Sequence, residues 1–130
     1  MFKKITIIAL LIGSINLSAH EGSDHAQGTL KANHGGIVKA GKDINLEYVV
    51  SSDDVILFIV GQDGIDLKAK DLKLITTVKL PKEKAKLINL EMVDGANVAK
   101  SVFNGAARAE FIVKVSTKGK QSTFKFQAEK

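Results

Sequence analysis

From His34 to the C-terminus, short apolar runs separated by turn residues recur at intervals of about ten residues. Most runs alternate apolar with polar residues, the period of a strand with one buried face. No convincing amphipathic helix interrupts them, and the intervals are too short for the crossover helices of a parallel sheet. The pattern predicts an all-β domain over residues 34–130, a small antiparallel β-sandwich of the immunoglobulin-like type, with a small closed barrel as the main alternative.

Seven to nine strands are expected, centred on residues 37–38, 44–50, 55–60, 72–80, 88–92, 98–103, 111–115 and 124–126. The run at 55–60 is continuously apolar, which predicts a central strand covered on both faces. In the run at 44–50, Asn45 and Glu47 alternate with apolar residues, so we expect them on a solvated face. The pair Asp63-Gly64 predicts a type I′ hairpin turn, because both residue types tolerate a positive φ.

The first nineteen residues have the three-part order of a secretory signal peptide. A basic start at Lys3 and Lys4 precedes an apolar run and then small residues ending at Ala19. The apolar run is far shorter than the roughly 20 residues that span a bilayer. We therefore predict a signal peptide at 1–19, cleavage near Ala19, and a soluble periplasmic protein with no stable membrane insertion afterwards. Residues 20–33 are polar and without period, which predicts a flexible N-terminal arm.

Composition excludes several classes of function. The chain has no Cys, so it has neither a thiol nucleophile nor a thiolate metal site. Without residues 1–19 it keeps 17 basic against 14 acidic residues, and this mild excess argues against nucleic acid as a partner. There is no Gly-rich phosphate loop. All the histidines lie within residues 20–34, where a flexible arm would not hold a catalytic base. We therefore do not expect an enzyme.

The histidines themselves are the unusual feature, because imidazole and carboxylate groups bind divalent Cu, Zn, Ni or Co. If cleavage follows Ala19, the free amine and the imidazole of the new N-terminal residue can chelate one ion together. One Met and no Cys in the mature chain disfavour Cu(I). The spacing fits no standard zinc motif, and chance clustering in a polar tail remains the alternative. The candidate metal ligands are His20, Glu21, Asp24, His25 and His34.

The segment His34-Gly35-Gly36, the run at 55–60 and Asp63-Gly64 together resemble a bacterial periplasmic "HGG" β-sandwich domain associated with heavy-metal efflux systems. The resemblance covers roughly residues 31–126 and carries over only His34 as a family position. It implies a metal-binding accessory protein of an efflux or homeostasis system, with a metal-efflux pump component as its partner. Two alternatives remain open. The two glycines can simply turn the chain sharply into the first strand, and the domain can be a non-metal interaction module that binds by strand addition.

Overall fold

The computed structural model describes residues 31–130, which form strands joined by turns and a single short 3₁₀ turn at Ala69–Asp71. The strands are β1 (Ile37–Lys39), β2 (Ile44–Ser51), β3 (Asp54–Gly61), β4 (Lys73–Lys79), β5 (Lys86–Ile88), β6 (Glu91–Val93), β7 (Ala96–Ala99), β8 (Arg108–Thr117) and β9 (Lys120–Glu129). Neighbouring strands pair antiparallel throughout these residues. The all-β prediction is confirmed.

The strands divide into two sheets that pack face to face. The first sheet has the order β1-β2-β3-β7-β6, and the second has the order β5-β4-β8-β9. Apart from the extra edge strand β1, this matches A-B-E-D against C-F-G of the immunoglobulin sandwich, with β5 added beside the C strand. The predicted immunoglobulin-like sandwich is therefore correct, and the closed barrel is not observed.

The core follows the alternation along the longest strands. In β8, Ala109, Phe111, Val113 and Val115 are buried, and Phe124, Phe126 and Ala128 of β9 join them. Rings then connect the two sheets, because Phe126 stacks on Phe111 with centroids 5.0 Å apart and on Tyr48 of β2 at 4.2 Å. The Tyr48 hydroxyl donates a hydrogen bond to the Gln127 carbonyl oxygen at 3.3 Å. Aromatic packing between β2 and β9 thus joins the two layers.

The run at 88–92 corrects one prediction. The alternation predicts a single strand here, but Ile88 ends β5 in the second sheet and Met92 belongs to β6 in the first. The chain crosses between the sheets at Asn89 and Leu90. No Gly or Pro lies at this crossing. Apolar and polar residues therefore keep alternating across it, and the sequence does not indicate that one strand ends and another begins.

The turn at Asp63-Gly64 also differs from its prediction. Gly64 has a positive φ of 84°, but Asp63 does not, so the turn is not type I′. The Gly64 N–H donates to the Gly61 carbonyl oxygen and the Gly61 N–H to that of Ile65, both at 2.9 Å. This is a three-residue hairpin loop with a left-handed glycine. It returns the chain beside β3, where Asp66 forms an isolated bridge with Val60.

The edges of the sheets are mostly short. β1, β5 and β6 have three residues each, which limits the backbone they offer to another chain. The fourth edge, β9, has ten residues. Among residues 31–130, no helix is long and apolar enough to cross a membrane.

Candidate functional site

The site is centred on Glu47, in the middle of β2, whose side chain points to the outer face of the first sheet. The alternation predicts a solvated face here, and this prediction is wrong: Glu47 is 0% exposed and Asn45 is 4% exposed. The segment before β1, Asn33 to Gly36, lies against Glu47, whereas Asn45 Oδ1 accepts a hydrogen bond from the Gly41 N–H at 3.1 Å. Backbone N–H groups of the segment donate to the Glu47 carboxylate, so its burial is matched by hydrogen bonds.

Glu47 accepts hydrogen bonds from three backbone amides of that segment. The N–H of Asn33 lies 2.9 Å from Oε1, that of His34 lies 2.9 Å from Oε2, and that of Gly36 lies 2.8 Å from Oε2. Closely spaced backbone N–H groups that converge in this way form a concave anion-binding nest. Hydrogen bonds to a charged acceptor are stronger than neutral ones. We call this arrangement, the Glu47 carboxylate held by the amides of Asn33, His34 and Gly36, the carboxylate clasp.

The geometry of the clasp explains why both Gly35 and Gly36 are glycines. Gly35 has a φ of 76°, a left-handed conformation that side chains disfavour, and it has open space around it. Gly36 approaches β2 so closely that a Cβ atom there would lie 2.2 Å from the Tyr48 carbonyl oxygen. The sequence alternative, two glycines that turn the chain into the first strand, therefore describes part of their role.

The clasp places the His34 side chain on the first sheet. Its imidazole stacks on Phe58 of β3, with ring centroids 3.6 Å apart and planes at 8°. Its Nε2 atom lies 2.6 Å from Asp66 Oδ2. The Asn33 side chain completes the cluster, because its Nδ2 donates to Asp66 Oδ1 and to the Gly64 carbonyl oxygen, both at 3.0 Å. The loop at 61–65 thus brings Asp66 to the imidazole.

The electrostatics of this pair favour an ionised carboxylate. Burial by itself raises the pKa of Asp66, but the hydrogen bonds from Asn33 and His34, together with the charge of His34, outweigh it, so the pKa is lowered overall. The side chains of His34 and Asp66 remain 32% and 39% exposed. The pair is therefore fixed in geometry yet open to solvent.

A pocket of about 270 Å³ adjoins the pair. Its lining includes His34, Phe58, Asp66, Leu72 and Asp94. No serine, threonine or cysteine lies among the residues that line it within the described part of the chain. The lining therefore offers no hydroxyl or thiol beside this imidazole, whereas oxygen and nitrogen ligands are present.

The predicted metal ligands divide into two groups. His20, Glu21, Asp24 and His25 lie outside the described residues. His34 is described, and it is brought together with Asp66, which was not predicted. Within residues 31–130, no group of three or more His, Asp or Glu side chains is placed to hold a metal ion.

Sequence reasoning missed Glu47 and Asp66. Alternation assigns a face to each residue of one strand, but it does not show that a distant segment covers that face. A usable signal existed in the two glycines, because they expose backbone N–H groups that a nearby carboxylate can bind. Asp66 follows the turn at Asp63-Gly64, and only the actual turn geometry brings it beside β3.

Comparison of the chain with protein-family models, with curated proteins and with solved structures found no match.

Proposed function

We propose that this protein is a periplasmic accessory protein that binds a divalent transition metal in a metal efflux or homeostasis system. The observation that carries the proposal is the His34 imidazole, held by stacking on Phe58 and by a 2.6 Å contact with a carboxylate. Metal-ligating histidines typically donate their other ring N–H to a carboxylate, which fixes the tautomer and raises the basicity of the ligating nitrogen. Asp66 is suited to that role, and a neutral ring with its proton on Nε2 has Nδ1 available as the ligand.

The remaining ligands would come from the residues before the domain. Because residues 31–130 hold no three-ligand cluster, a complete site requires donors such as His20, His25, Glu21 and Asp24. The clasp fixes the chain at Asn33, eight residues after His25 in the sequence. An extended chain spans at most about 3.3–3.6 Å per residue, so a donor at that separation can reach the imidazole by folding back. Cu(II), Zn(II), Ni(II) and Co(II) are the ions that such donors prefer.

Calorimetric titration tests the proposal. The mature chain beginning at His20 is titrated with Cu(II), Zn(II) and Ni(II), alongside His34→Ala and a variant with all three histidines changed to Ala. We expect the triple variant to release no heat above dilution, and His34→Ala to bind at least about tenfold more weakly because one ligand is lost. An Asp66→Asn variant should show an intermediate loss.

Equal heats for the mature chain and the triple variant would contradict the proposal. Mass analysis of the N-terminus of exported protein provides the second test. A start at any residue other than His20 would exclude chelation by the terminal amine and imidazole. Protein that stays in the cytoplasm would contradict the predicted signal peptide.

A second candidate function is a non-metal interaction module that binds an envelope partner by strand addition. The edge strand β9 supports it, because its ten residues offer more open backbone than the three-residue edges of the two sheets. Open backbone groups at such edges can pair with an extended peptide. Absence of metal binding by the mature chain would favour this function over the first.

A further inference from the structure

The outer face of the second sheet differs from that of the first. On the first, the segment at Asn33 to Gly36 lies against the buried Glu47, whereas none of the outward side chains of β4, β8 and β9 on the second is buried. Its outward side chains on β4, β8 and β9 include five cations and only two carboxylates, Glu110 and Glu129. We call this surface the basic face; its cations are Lys73, Lys79, Arg108, Lys114 and Lys125.

Apolar side chains lie between these cations. Ile75 of β4 is 42% exposed and Leu87 of β5 is 68% exposed. Half-buried Ile112 of β8 is paired across the sheet with Lys125 on one side and with Thr77 on the other. Single exposed apolar residues are common on protein surfaces. On the basic face, however, several exposed or half-buried apolar side chains lie on the same sheet face as the cations.

The cations have no acidic partner in the described part of the chain. The ion pairs there involve His34, Lys100, Lys120 and Lys130, none of which belongs to the basic face. Glu110 is the register neighbour of Lys79, yet the two form no ion pair. The charge of the face is therefore available to an outside ligand.

A groove of about 500 Å³ crosses this face. It is lined by side chains of all three long strands and by Ala85 from the connection between β4 and β5; those strand residues include Thr77, Lys79, Glu110, Ile112 and Lys125. Lys79 and Lys125 supply two cations against the one carboxylate of Glu110, and Ile112 supplies an apolar contact. Because the groove is a partly open hollow that runs across three strands, an extended chain can lie along it, whereas a flat bilayer would meet only its rim.

From charge complementarity and groove shape, we infer that the basic face docks an extended peptide segment of a partner protein in which acidic and apolar side chains alternate. Successive side chains of such a segment point in opposite directions, so all of its acidic residues share one face, and that face would lie against the groove's lysines while the apolar residues point away from the sheet. This inference does not depend on metal binding, which would occur on the opposite sheet.

The test uses a fluorescein-labelled ten-residue peptide in which four glutamates alternate with valine and leucine. Its control is the same peptide with lysine in place of each glutamate. Each peptide is titrated with the mature protein, and its binding is measured by fluorescence anisotropy. NMR shifts of the protein's backbone amides then locate the binding site. We expect only the acidic peptide to bind, with shifts concentrated on β4, β8 and β9, and weaker binding at higher salt.

Charge reversal identifies the lysines responsible. The double variant Lys79→Glu/Lys125→Glu should weaken binding by about tenfold, since complementary charge becomes repulsive. The matched control Lys42→Glu/Lys70→Glu makes the same change in net charge at exposed positions away from the groove, and should alter affinity by less than about twofold. If the first variant fails to fold, Lys79→Gln/Lys125→Gln replaces it, with a smaller loss expected.

Three results would overturn the inference. Equal binding of the lysine peptide would show that charge is not recognised, and an equal effect of the control variant would show that the groove is not the site. Co-sedimentation with phosphatidylglycerol vesicles through Lys79 and Lys125, without peptide binding, would show that the face binds lipid instead.

Discussion

At the residue scale, Glu47 has the most demanding environment in the described domain. It is a carboxylate with no exposure, and the amides that hold it come from a segment eleven to fourteen residues earlier in the chain. A buried charge is stable only while hydrogen bonds replace the water it has lost. The clasp is therefore expected to be sensitive to any change of the carboxylate.

Replacing Glu47 by Gln tests that expectation. The amide group keeps the shape but loses the charge, and its NH₂ group is directed toward N–H donors. We expect a loss of about 2–4 kcal/mol in the free energy of unfolding, because charge-assisted hydrogen bonds are broken in a buried site. Urea denaturation followed by circular dichroism measures it. Glu91→Gln, at an exposed position of β6, is the control and should change stability by less than about 0.5 kcal/mol.

The two glycines of the clasp give a second prediction, because they differ in what a methyl group would meet. Gly36→Ala should lower the free energy of unfolding more than Gly35→Ala, since its Cβ would lie 2.2 Å from the Tyr48 carbonyl oxygen. In Gly35→Ala the added methyl group would lie in open space. We therefore expect its free energy of unfolding to fall only by the cost of a positive φ, about 1 kcal/mol. Thermal melts of both variants make the comparison. Equal losses would mean that the segment does not approach β2 this closely.

At the element scale, β9 connects the layers through its aromatic residues. Phe126 stacks on Phe111 of its own sheet and on Tyr48 of the other. Burial, and then the charge of Glu129, raise the pKa of Tyr48, so the hydroxyl remains a donor to Gln127 at neutral pH. One ring and one hydroxyl group thus contribute, together with the other core residues of both strands, to the position of β9 against β2.

Truncating that ring should be costly. Phe126→Ala is expected to lower the free energy of unfolding by about 3–5 kcal/mol, since it removes buried area and leaves a cavity. Thr123→Ala, at an exposed position of the same strand, should change it by less than about 0.5 kcal/mol. Denaturant titration of both variants is the measurement, and similar midpoints would contradict the role of the stack.

The elements also show how far the sequence was informative. In β8 and β9 the alternation predicted the buried face correctly, since each strand keeps one side toward the core along its length. It failed between Ile88 and Met92, where the chain changes sheets without a turn residue. It failed at Glu47 because burial there is caused by a segment outside the strand. His34 could be singled out by residue type, but its partner Asp66 could not, because their contact depends on the path of the 61–65 loop.

At the scale of the whole molecule, the His34–Asp66 contact predicts how stability depends on pH. The pKa of Asp66 is lowered from its ordinary value of 3.8 in the folded state. The unfolded chain therefore binds more protons at this group, and stability rises with pH across the interval between the two values. The contribution is complete above the unfolded pKa and is lost as the pH falls through the lower, folded pKa.

Urea unfolding at a series of pH values from 6 down to 2 measures this dependence. We expect Asp66→Asn to remove part of the decline in stability seen in the parent protein at acidic pH. Asp63→Asn, in the neighbouring turn, is the control. Parallel pH profiles for the parent and Asp66→Asn would show that the contact does not persist in solution.

The carboxylate clasp has a final consequence for how the domain reaches its native state. In many small exported domains, a disulfide bond joins an early segment to a later strand, and the formation of that bond consumes an oxidant. Here a side chain and three amides join Asn33 to Gly36 with β2, and the chain contains no cysteine. Refolding should proceed at the same rate with or without dithiothreitol, under air or in its absence.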